Sequence, residues 1–150
     1  NLESIRKHGG LFSCQYLKKN DIVTYSGGDE ELQRIDKEYQ LDDYIRLSFC
    51  ERHPMGWRLK MNNNRDFVIL KIKIDVAFSQ GTLFSDVNAA TPGHHHGGEF
   101  DDLQAVNLDA INAEYSAMNS LRHEQMTAEV MVRKNIPIEY IINIDNPESF

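Results

Sequence analysis

An acidic residue at the start of an apolar segment near the end of the chain is the first candidate for chemistry. Glu129 precedes Val130 and Met131, and alternation along a strand places Glu129 and Met131 on one face and Val130 on the other. A carboxylate held on a rigid strand suits the stabilisation of an oxocarbenium cation at a sugar carbon, or the removal of a proton from an attacking group. A solvent-facing acid on a half-buried strand is the commoner role of such a residue, so both interpretations stay open at this point.

A basic residue on a predicted helix is the second candidate. Arg34 lies in a segment where apolar residues three positions apart predict a helix over residues 30–38. A guanidinium group binds a phosphate or pyrophosphate through two parallel hydrogen bonds. The alternative is a surface arginine paired with Asp36 or Glu38, which is the usual environment of a charged helix position.

Three adjacent histidines, His94, His95 and His96, lie between glycines in a stretch predicted to be irregular, residues 79–102. Clustered imidazoles can bind a transition metal. Successive neighbours rarely converge on one ion, and no cysteine or spaced carboxylate motif accompanies them. The sequence therefore favours a mobile loop, and no metal is expected.

The distribution of charge limits where a polyanion could bind. The 150 residues include 16 basic and 23 acidic side chains, a net charge of -7, which excludes a strongly basic protein that binds nucleic acid over its whole surface. No Lys or Arg occurs between Lys73 and Arg122, whereas that stretch contains seven acids. A polyanion would have to approach from the first half of the chain or from Arg122.

The chain length corresponds to one domain, and a hydrophobic share of 41% suffices for a core. No window approaches the roughly 20 apolar residues of a membrane span, and no signal-peptide pattern opens the sequence. Cys14 and Cys50 are far apart and form no paired motif. Two free thiols in a cytoplasmic protein are the favoured interpretation, although the number of cysteines also permits a disulfide.

Periodicity predicts the elements that must position these residues. Helices are predicted over residues 1–9, with Asn1 near the cap and Gly9 as the stop, and over 30–38 and 109–118. Extended segments are predicted at 11–17, 44–49, 67–74, 127–133 and 140–144, with a turn at 53–56. The run 67–74 is the clearest strand and is predicted to be central. Because strands and helices do not alternate regularly, the expected fold is α+β with a mainly antiparallel sheet.

Five groups of residues in order along the chain form a larger pattern. They are Asn1-Leu2-Glu3-Ser4-Ile5 with His8-Gly9-Gly10-Leu11-Phe12-Ser13, Arg34-Ile35-Asp36, Leu41-Asp42-Asp43-Tyr44-Ile45 with Phe49 and Pro54-Met55, Phe84-Ser85-Asp86 with Asn88-Ala89-Ala90, and Ala128-Glu129-Val130-Met131-Val132 with Ile136-Pro137. In these segments the chain resembles the DarT-type ADP-ribosyltransferase toxins over nearly its whole length. That family transfers ADP-ribose from NAD to a base in single-stranded DNA. The resemblance implies an ADP-ribosyltransferase-like fold, with a split, mainly antiparallel sheet and flanking helices around an NAD cleft.

The resemblance also implies roles for individual residues in NAD binding and catalysis. Glu129 would be the catalytic acid–base residue, and Arg34 would hold the NAD phosphates or help to activate the base. These two residues are expected to face one another across the cleft. Asn1 would lie at the nicotinamide-ribose end of the pocket, and Tyr44 would line the nicotinamide pocket.

The nucleic-acid substrate is expected along the loop 119–126, which includes Arg122 and His123, with Arg46 and Arg52 as further cations. The acceptor implied by the resemblance is thymine or guanine in single-stranded DNA, because a base inside a duplex is out of reach. The acidic middle of the chain keeps two alternatives open. One is ADP-ribosyl transfer to RNA or protein, and the other is a non-catalytic domain that binds NAD or a partner.

The biological setting implied by the resemblance is the toxin of a toxin–antitoxin or phage-defence system. The expected partners are single-stranded DNA and an antitoxin of macrodomain or other type, without a membrane. The expected organisation is a single ADP-ribosyltransferase-like domain over residues 1–150 that lacks a few N-terminal residues. The family carries a histidine shortly before the asparagine that corresponds to Asn1.

Overall fold

Short helices surround a small antiparallel sheet in the computed structural model, which describes residues 1–22, 30–51, 53–63, 67–113 and 120–149. The helices are α1 (Leu2–His8), α2 (Cys14–Lys19), α3 (Glu30–Glu38), α4 (Pro54–Asn63), α5 (Phe100–Gln104), α6 (Leu108–Asn112) and α7 (Ser120–Gln125). The strands are β1 (Gly10–Phe12), β2 (Tyr44–Ser48), β3 (Val68–Ile69), β4 (Leu83–Ser85), β5 (His96–Gly97), β6 (Glu129–Arg133), β7 (Asn135–Pro137) and β8 (Glu148–Ser149). Short 3₁₀ turns cover Ile74–Phe78 and Ile138–Tyr140.

The main sheet has four strands in the order β2-β6-β4-β5, and each neighbouring pair is antiparallel. Two further pairs, β1 with β7 and β3 with β8, are also antiparallel. The predicted α+β class with a mainly antiparallel sheet is therefore confirmed. The predicted strand at 127–133 is confirmed as β6, and it occupies an interior position in the sheet.

The two faces of the main sheet have different environments. Val130 and Val132 of β6 point into the larger hydrophobic core, together with Phe84 of β4 and the inward side chains of β2. Each fully buried aliphatic side chain of this kind contributes about 1.5–3 kcal/mol of stability. Met131 lies on the opposite face in a smaller cluster with Leu41 and other apolar groups. Alternation places Glu129 on this second face, so packing of the core fixes the direction of its side chain.

The strand that follows the first helix pairs with β7, and this pairing holds the helix in place. Gly9 closes α1 in the left-handed conformation, with φ of 79°, as the sequence predicts. Gly10 then pairs with Pro137 in the β1–β7 ladder, and a Cβ at Gly10 would overlap the carbonyl oxygen of Ile136. Only glycine permits this close approach of the two backbones. The predicted helix at residues 1–9 is confirmed, whereas the extended segment ends at Phe12, because Ser13 caps α2 through the amide of Tyr16.

The prediction that residues 67–74 form the central strand is wrong. Only Val68–Ile69 is a strand, and it pairs with β8 in a separate two-stranded sheet. Residues on either side of it, among them Phe67 and Ile72, line a large cavity. The apolar character of this run therefore belongs to a cavity wall, while β6 takes the interior position in the main sheet.

Three other predicted elements differ from the structure. The prediction of a turn at 53–56 is wrong, because Pro54 occupies the first turn of α4, where its fixed φ suits a helix. The strand at 140–144 is wrong as well, since Ile141 forms only an isolated bridge with Ile72. The stretch 79–102 is not irregular throughout, because it includes β4 and β5. Of the helix at 109–118, Leu108–Asn112 is observed as α6, and residues 114–118 lie outside the described residues.

Cys14 and Cys50 are free, which confirms the prediction of two thiols. Within the described part of the chain, no helix has the length and apolar character that a membrane crossing requires.

Candidate active site

Glu129 is a buried carboxylate on the wall of a large cavity. It is the first residue of β6 and is 6% exposed. Its Cα lies opposite Ser48 of β2 and Ser85 of β4, so neighbouring strands hold its backbone on both sides. The cavity has a volume of about 890 Å³, within the roughly 300–1,000 Å³ of small-molecule sites.

Three donors fix the two oxygens of the Glu129 carboxylate. Oε2 accepts hydrogen bonds from the Ala89 amide at 3.0 Å and from Nη1 of Arg46 at 3.4 Å. Oε1 accepts one from Nδ2 of Asn88 at 3.3 Å. The carboxylate is therefore held in one orientation by groups from two different elements, as a preorganised catalytic group requires.

The segment after β4 supplies two of these donors and is itself held in place. The Asn88 amide donates to Oγ1 of Thr127 at 2.9 Å, just before β6. Oδ1 of Asn88 accepts a hydrogen bond from the Ala90 amide at 2.9 Å, so its Nδ2 must face the carboxylate. These bonds couple the orientation of Glu129 to the backbone on both sides of the site.

Burial raises the pKa of Glu129 above its ordinary value. The charge of Arg46 and the hydrogen bond from the Ala89 amide act in the opposite direction, and the charge of Asp36 raises the pKa further. A carboxyl group whose pKa is raised toward neutrality is better suited to accept and return a proton.

Arg46 lies between two carboxylates. Its Nη1 contacts Glu129 at 3.4 Å, and its Nη2 forms an ion pair with Asp36 of α3. The side chain is 20% exposed, and within the described part of the chain its Nε is buried without a hydrogen-bond partner. Burial raises the pKa of Asp36, and the neighbouring Arg46 opposes that rise.

Much of the remaining lining of the cavity is apolar. It includes residues of α1 and β1, such as Ile5 and Leu11, and the run from Phe67 to Ile74, while Asn1 precedes α1 and lines the cavity as well. His53 also lines the cavity, and its Nδ1 accepts a hydrogen bond from the Met55 amide at 3.2 Å. Burial lowers the pKa of His53, so its imidazole is neutral at physiological pH. The cavity thus combines a polar end at Glu129 with an apolar wall.

Two of the residues predicted for NAD binding and catalysis, Asn1 and Glu129, line this cavity. The structure does not bring Arg34 and Glu129 together. Arg34 pairs with Glu38 at 3.2 Å, its side chain is 62% exposed, and it is not among the described lining residues. Tyr44 packs against the smaller cluster that contains Met131 and is not among the described lining residues.

The residues predicted for substrate binding lie on α7, which leads into β6. Arg122 is exposed and His123 is partly buried, and neither is among the described residues of the cavity wall. The predicted loop 119–126 is a helix over Ser120–Gln125, and residue 119 lies outside the described residues. Arg52, a predicted further cation, also lies outside them.

The three histidines belong to an ordered hydrogen-bonded segment. Nε2 of His94 lies 2.9 Å from Nδ1 of His96, and Nε2 of His95 lies 2.8 Å from Oδ1 of Asp102. His96 is part of β5, so the predicted mobile loop is wrong at this position. Among the described residues, no group of three potential ligands is arranged to hold a metal ion.

Sequence comparison identifies the family of the chain. A family model described as DarT, ssDNA thymidine ADP-ribosyltransferase, matches residues 1–149. The chain belongs to the DarT family. Membership makes it an NAD-dependent ADP-ribosyltransferase of the type that modifies thymidine in single-stranded DNA, and the resemblance predicted from the sequence is confirmed. No curated protein sequence matches the chain significantly.

Solved DarT structures share the fold. DarT from Thermus sp. 2.9 in complex with ADP-ribosylated ssDNA is 18% identical with a TM-score of 0.73, over 93% of this chain and 73% of that one. The same protein in complex with NAD+ gives 18% identity and a TM-score of 0.68, with the same coverage. Thermosipho africanus DarTG in complex with ADP-ribose is 18% identical with a TM-score of 0.68. That match covers 92% of this chain and 39% of that one. The predicted ADP-ribosyltransferase-like fold is thereby confirmed.

Sequence reasoning missed the partners of Glu129 in this DarT-family site. The sequence indicates Arg46 only as a cation for nucleic acid, and it indicates Asn88 and Ala89 only as part of a segment that resembles the family. Strand alternation signals that Arg46 shares a face with Tyr44 and Ser48. The pairing of β2 with β6, however, joins residues far apart in the sequence, and only the structure gives that register.

Proposed function

We propose that this chain transfers ADP-ribose from NAD to thymidine in single-stranded DNA, with Glu129 as the catalytic acid–base residue. The observation that carries the proposal is the buried Glu129 carboxylate, held by three donors at the wall of a cavity of about 890 Å³. Membership of the DarT family supports the same reaction. The family description favours thymine over guanine as the modified base.

The Glu129 carboxylate has two functions in this proposal. Cleavage of a nicotinamide–ribose bond develops positive charge on the ribose, and a fixed carboxylate stabilises that charge without having to reorganise. The same carboxylate holds the ribose hydroxyls and removes the proton of the incoming base. Its raised pKa favours proton acceptance, and the charge of Arg46 and the hydrogen bond from the Ala89 amide favour the ionised form that the charge-stabilising step needs.

For NAD binding we propose Asn1, which lines the cavity beside α1. Arg34 is proposed to hold the phosphates or to help activate the base, which requires its guanidinium to exchange Glu38 for the substrate. Tyr44, which packs against the cluster that contains Met131, is proposed to line the nicotinamide pocket. The volume of the cavity and its apolar side fit a dinucleotide with a planar aromatic ring.

For the DNA strand we propose a path along α7, with Arg122 and His123 as contacts. Three residues separate the end of α7 from the start of β6, and the middle one, Thr127, accepts a hydrogen bond from the Asn88 amide. A strand bound at α7 would therefore present its base close to the polar end of the cavity. Single-stranded DNA is the expected form, since a stacked base inside a duplex cannot enter a pocket.

We further propose a single ADP-ribosyltransferase-like domain that acts as the toxin of a toxin–antitoxin or phage-defence system. Likeness to Thermosipho africanus DarTG supports an antitoxin partner of macrodomain or other type. A cytoplasmic location is proposed because NAD and single-stranded DNA are available there and both cysteines are free thiols.

The test is transfer of label from NAD to single-stranded oligonucleotides with and without thymidine, beside RNA and protein acceptors. Labelling only of thymidine-containing DNA supports the proposal. Labelling only of RNA or protein contradicts the acceptor but keeps the transferase. Titration with NAD that shows binding without any transfer would instead indicate a non-catalytic NAD-binding domain.

A further inference from the structure

We propose that Arg46 is a positioning residue that fixes the orientation and the ionised state of the Glu129 carboxylate. The inference rests on the catalytic role proposed for Glu129 and adds a residue that controls it. Arg46 contacts Glu129 from the adjacent strand, at 3.4 Å from Nη1 to Oε2. Arg46 also lines the cavity, and the proposal is that it acts through Glu129 and does not itself carry out the chemistry.

Strand register explains why Arg46 reaches Glu129. Arg46 lies opposite Met131, and Glu129 lies opposite Ser48, so the two residues are diagonal neighbours on the same face of β2 and β6. Diagonal neighbours on one face are within reach of a long side chain. The core on the opposite face holds both strands in this register, so the contact is built into the sheet.

A second anchor limits the movement of the guanidinium group. Nη2 of Arg46 forms an ion pair with Asp36 on α3, while Nη1 remains directed at Glu129. Arginine presents its donors in a rigid fork, so one contact restricts the direction of the other. The guanidinium is thus fixed between two carboxylates, and it orients the one that lies at the cavity wall.

The groups that face Glu129 determine whether its pKa rises or falls when Arg46 is removed. Arg46 from β2 favours the ionised form, and so does the neutral amide of Ala89, which follows β4. Asp36 from α3 favours the protonated form, as does burial, and Asn88 contributes an uncharged donor. Without Arg46, burial and Asp36 act with only hydrogen bonds to oppose them. The pKa of Glu129 would then rise further, and less carboxylate would be ionised at a given pH.

The variant that tests this is Arg46→Met, which keeps the apolar length of the side chain and removes the charge. The readout is the pH profile of kcat for transfer from NAD to a thymidine-containing oligonucleotide. We expect the acid limb to move to higher pH by about one unit, which lowers the rate about tenfold at pH values below the limb.

Arg46→Lys keeps the positive charge but loses the fork. Its acid limb should stay near that of the wild type, with a lower plateau for kcat. Arg46→Gln is neutral and polar, and it provides the same limb shift if the methionine variant does not fold. Arg133→Met is the matched control, because Arg133 contacts Asp43 at 3.4 Å at the other end of β6. That control should not move the limb.

A double-mutant cycle separates positioning from direct contact with substrate. If Arg46 acts through Glu129, Arg46→Met added to Glu129→Gln should cost little beyond Glu129→Gln alone. Losses that multiply in the double variant would overturn the proposal, and so would an unmoved acid limb in folded Arg46→Met and Arg46→Gln. Full activity of Glu129→Gln alone would instead overturn the proposed function, so the two failures are distinguishable.

Discussion

The Glu129→Gln variant offers the sharpest test of the proposed chemistry, because the substitution separates charge from shape. Glutamine is nearly isosteric with glutamate, and its carbonyl oxygen can replace Oε2, which accepts from the Ala89 amide and from Arg46. The new amide group then faces Nδ2 of Asn88, whose orientation is fixed by the Ala90 amide. One hydrogen bond is lost, and the negative charge disappears.

The expected effect on stability is small. Loss of one hydrogen bond costs about 1 kcal/mol. Removal of a carboxylate whose pKa is raised by burial offsets part of this loss, because the neutral amide has no buried charge. For a chain of this size, 1 kcal/mol corresponds to about 2–4 °C in Tm. The variant should therefore fold and melt within a few degrees of the wild type.

The expected effect on transfer is large. Removal of one preorganised electrostatic group from an active site costs about 10²–10³ in kcat, or about 2.7–4 kcal/mol. We expect the labelling rate of a thymidine-containing strand to fall at least this much, while NAD titration shows retained binding. Glu139→Gln makes the same substitution at an exposed site and should keep full activity. A folded Glu129→Gln variant with a rate near that of the wild type would refute the catalytic role.

Four further outcomes are expected. The pKa of Glu129 is raised in the folded state above its ordinary value of 4.5. As the pH rises from 4.5 through the folded pKa, the wild type should therefore lose stability relative to Glu129→Gln. Denaturant unfolding at several pH values measures this difference. Gly10→Ala should lower stability by at least about 1 kcal/mol, because its Cβ overlaps the Ile136 carbonyl, and should weaken NAD binding through displacement of α1; an unchanged Tm would contradict the packing argument. Arg34→Ala should lower NAD affinity by about tenfold if its guanidinium binds phosphate, and should lower kcat alone if it activates the base; the proposed roles fail if neither quantity changes in a calorimetric and kinetic comparison. Arg122→Ala should slow transfer and reduce the salt dependence of DNA binding by about 0.7 in log–log slope, and an unchanged slope would place the strand elsewhere.

Local pattern predicted the elements whose burial follows a simple period. The alternation around Glu129 gave both the strand and the face of the carboxylate, because one side of β6 packs into the core. The first helix followed from Asn1 and Gly9, whose preferences act within a few residues. The strand at Glu129 and the first helix depend on residues close together in the sequence, so the sequence alone was sufficient to predict them.

Apolar character alone was not sufficient to predict the structure of residues 67–74. A run of apolar residues suits the interior of a sheet and equally suits the wall of a cavity, and periodicity does not distinguish the two. The structure assigns most of the run to the wall and leaves Val68–Ile69 as a short strand. Whether such a run is covered by protein or faces a cavity depends on elements that are distant in the chain.

The basic partner of Glu129 shows the same limit. The resemblance assigns Arg34 a role with the NAD phosphates or the base, and the side chain that contacts the Glu129 carboxylate is that of Arg46. The contact requires the register between β2 and β6, which pairs residues more than 80 positions apart. Long-range register is set by the packing of both strands together, and no local signal in either segment specifies it.

The pairing of β1 with β7 and of β3 with β8 has a consequence for the order of events at the ribosome. Two parts of the cavity lining, the one at α1 and the one at residues 67–74, are attached to strands that follow β6 in the sequence. Such contacts between distant parts of a sequence form late and slowly. A nascent chain that has not yet released β7 and β8 holds Glu129 without a closed cavity around it. The cavity around Glu129 therefore closes only after β7 and β8 have left the ribosome, although neither strand is among its described lining residues.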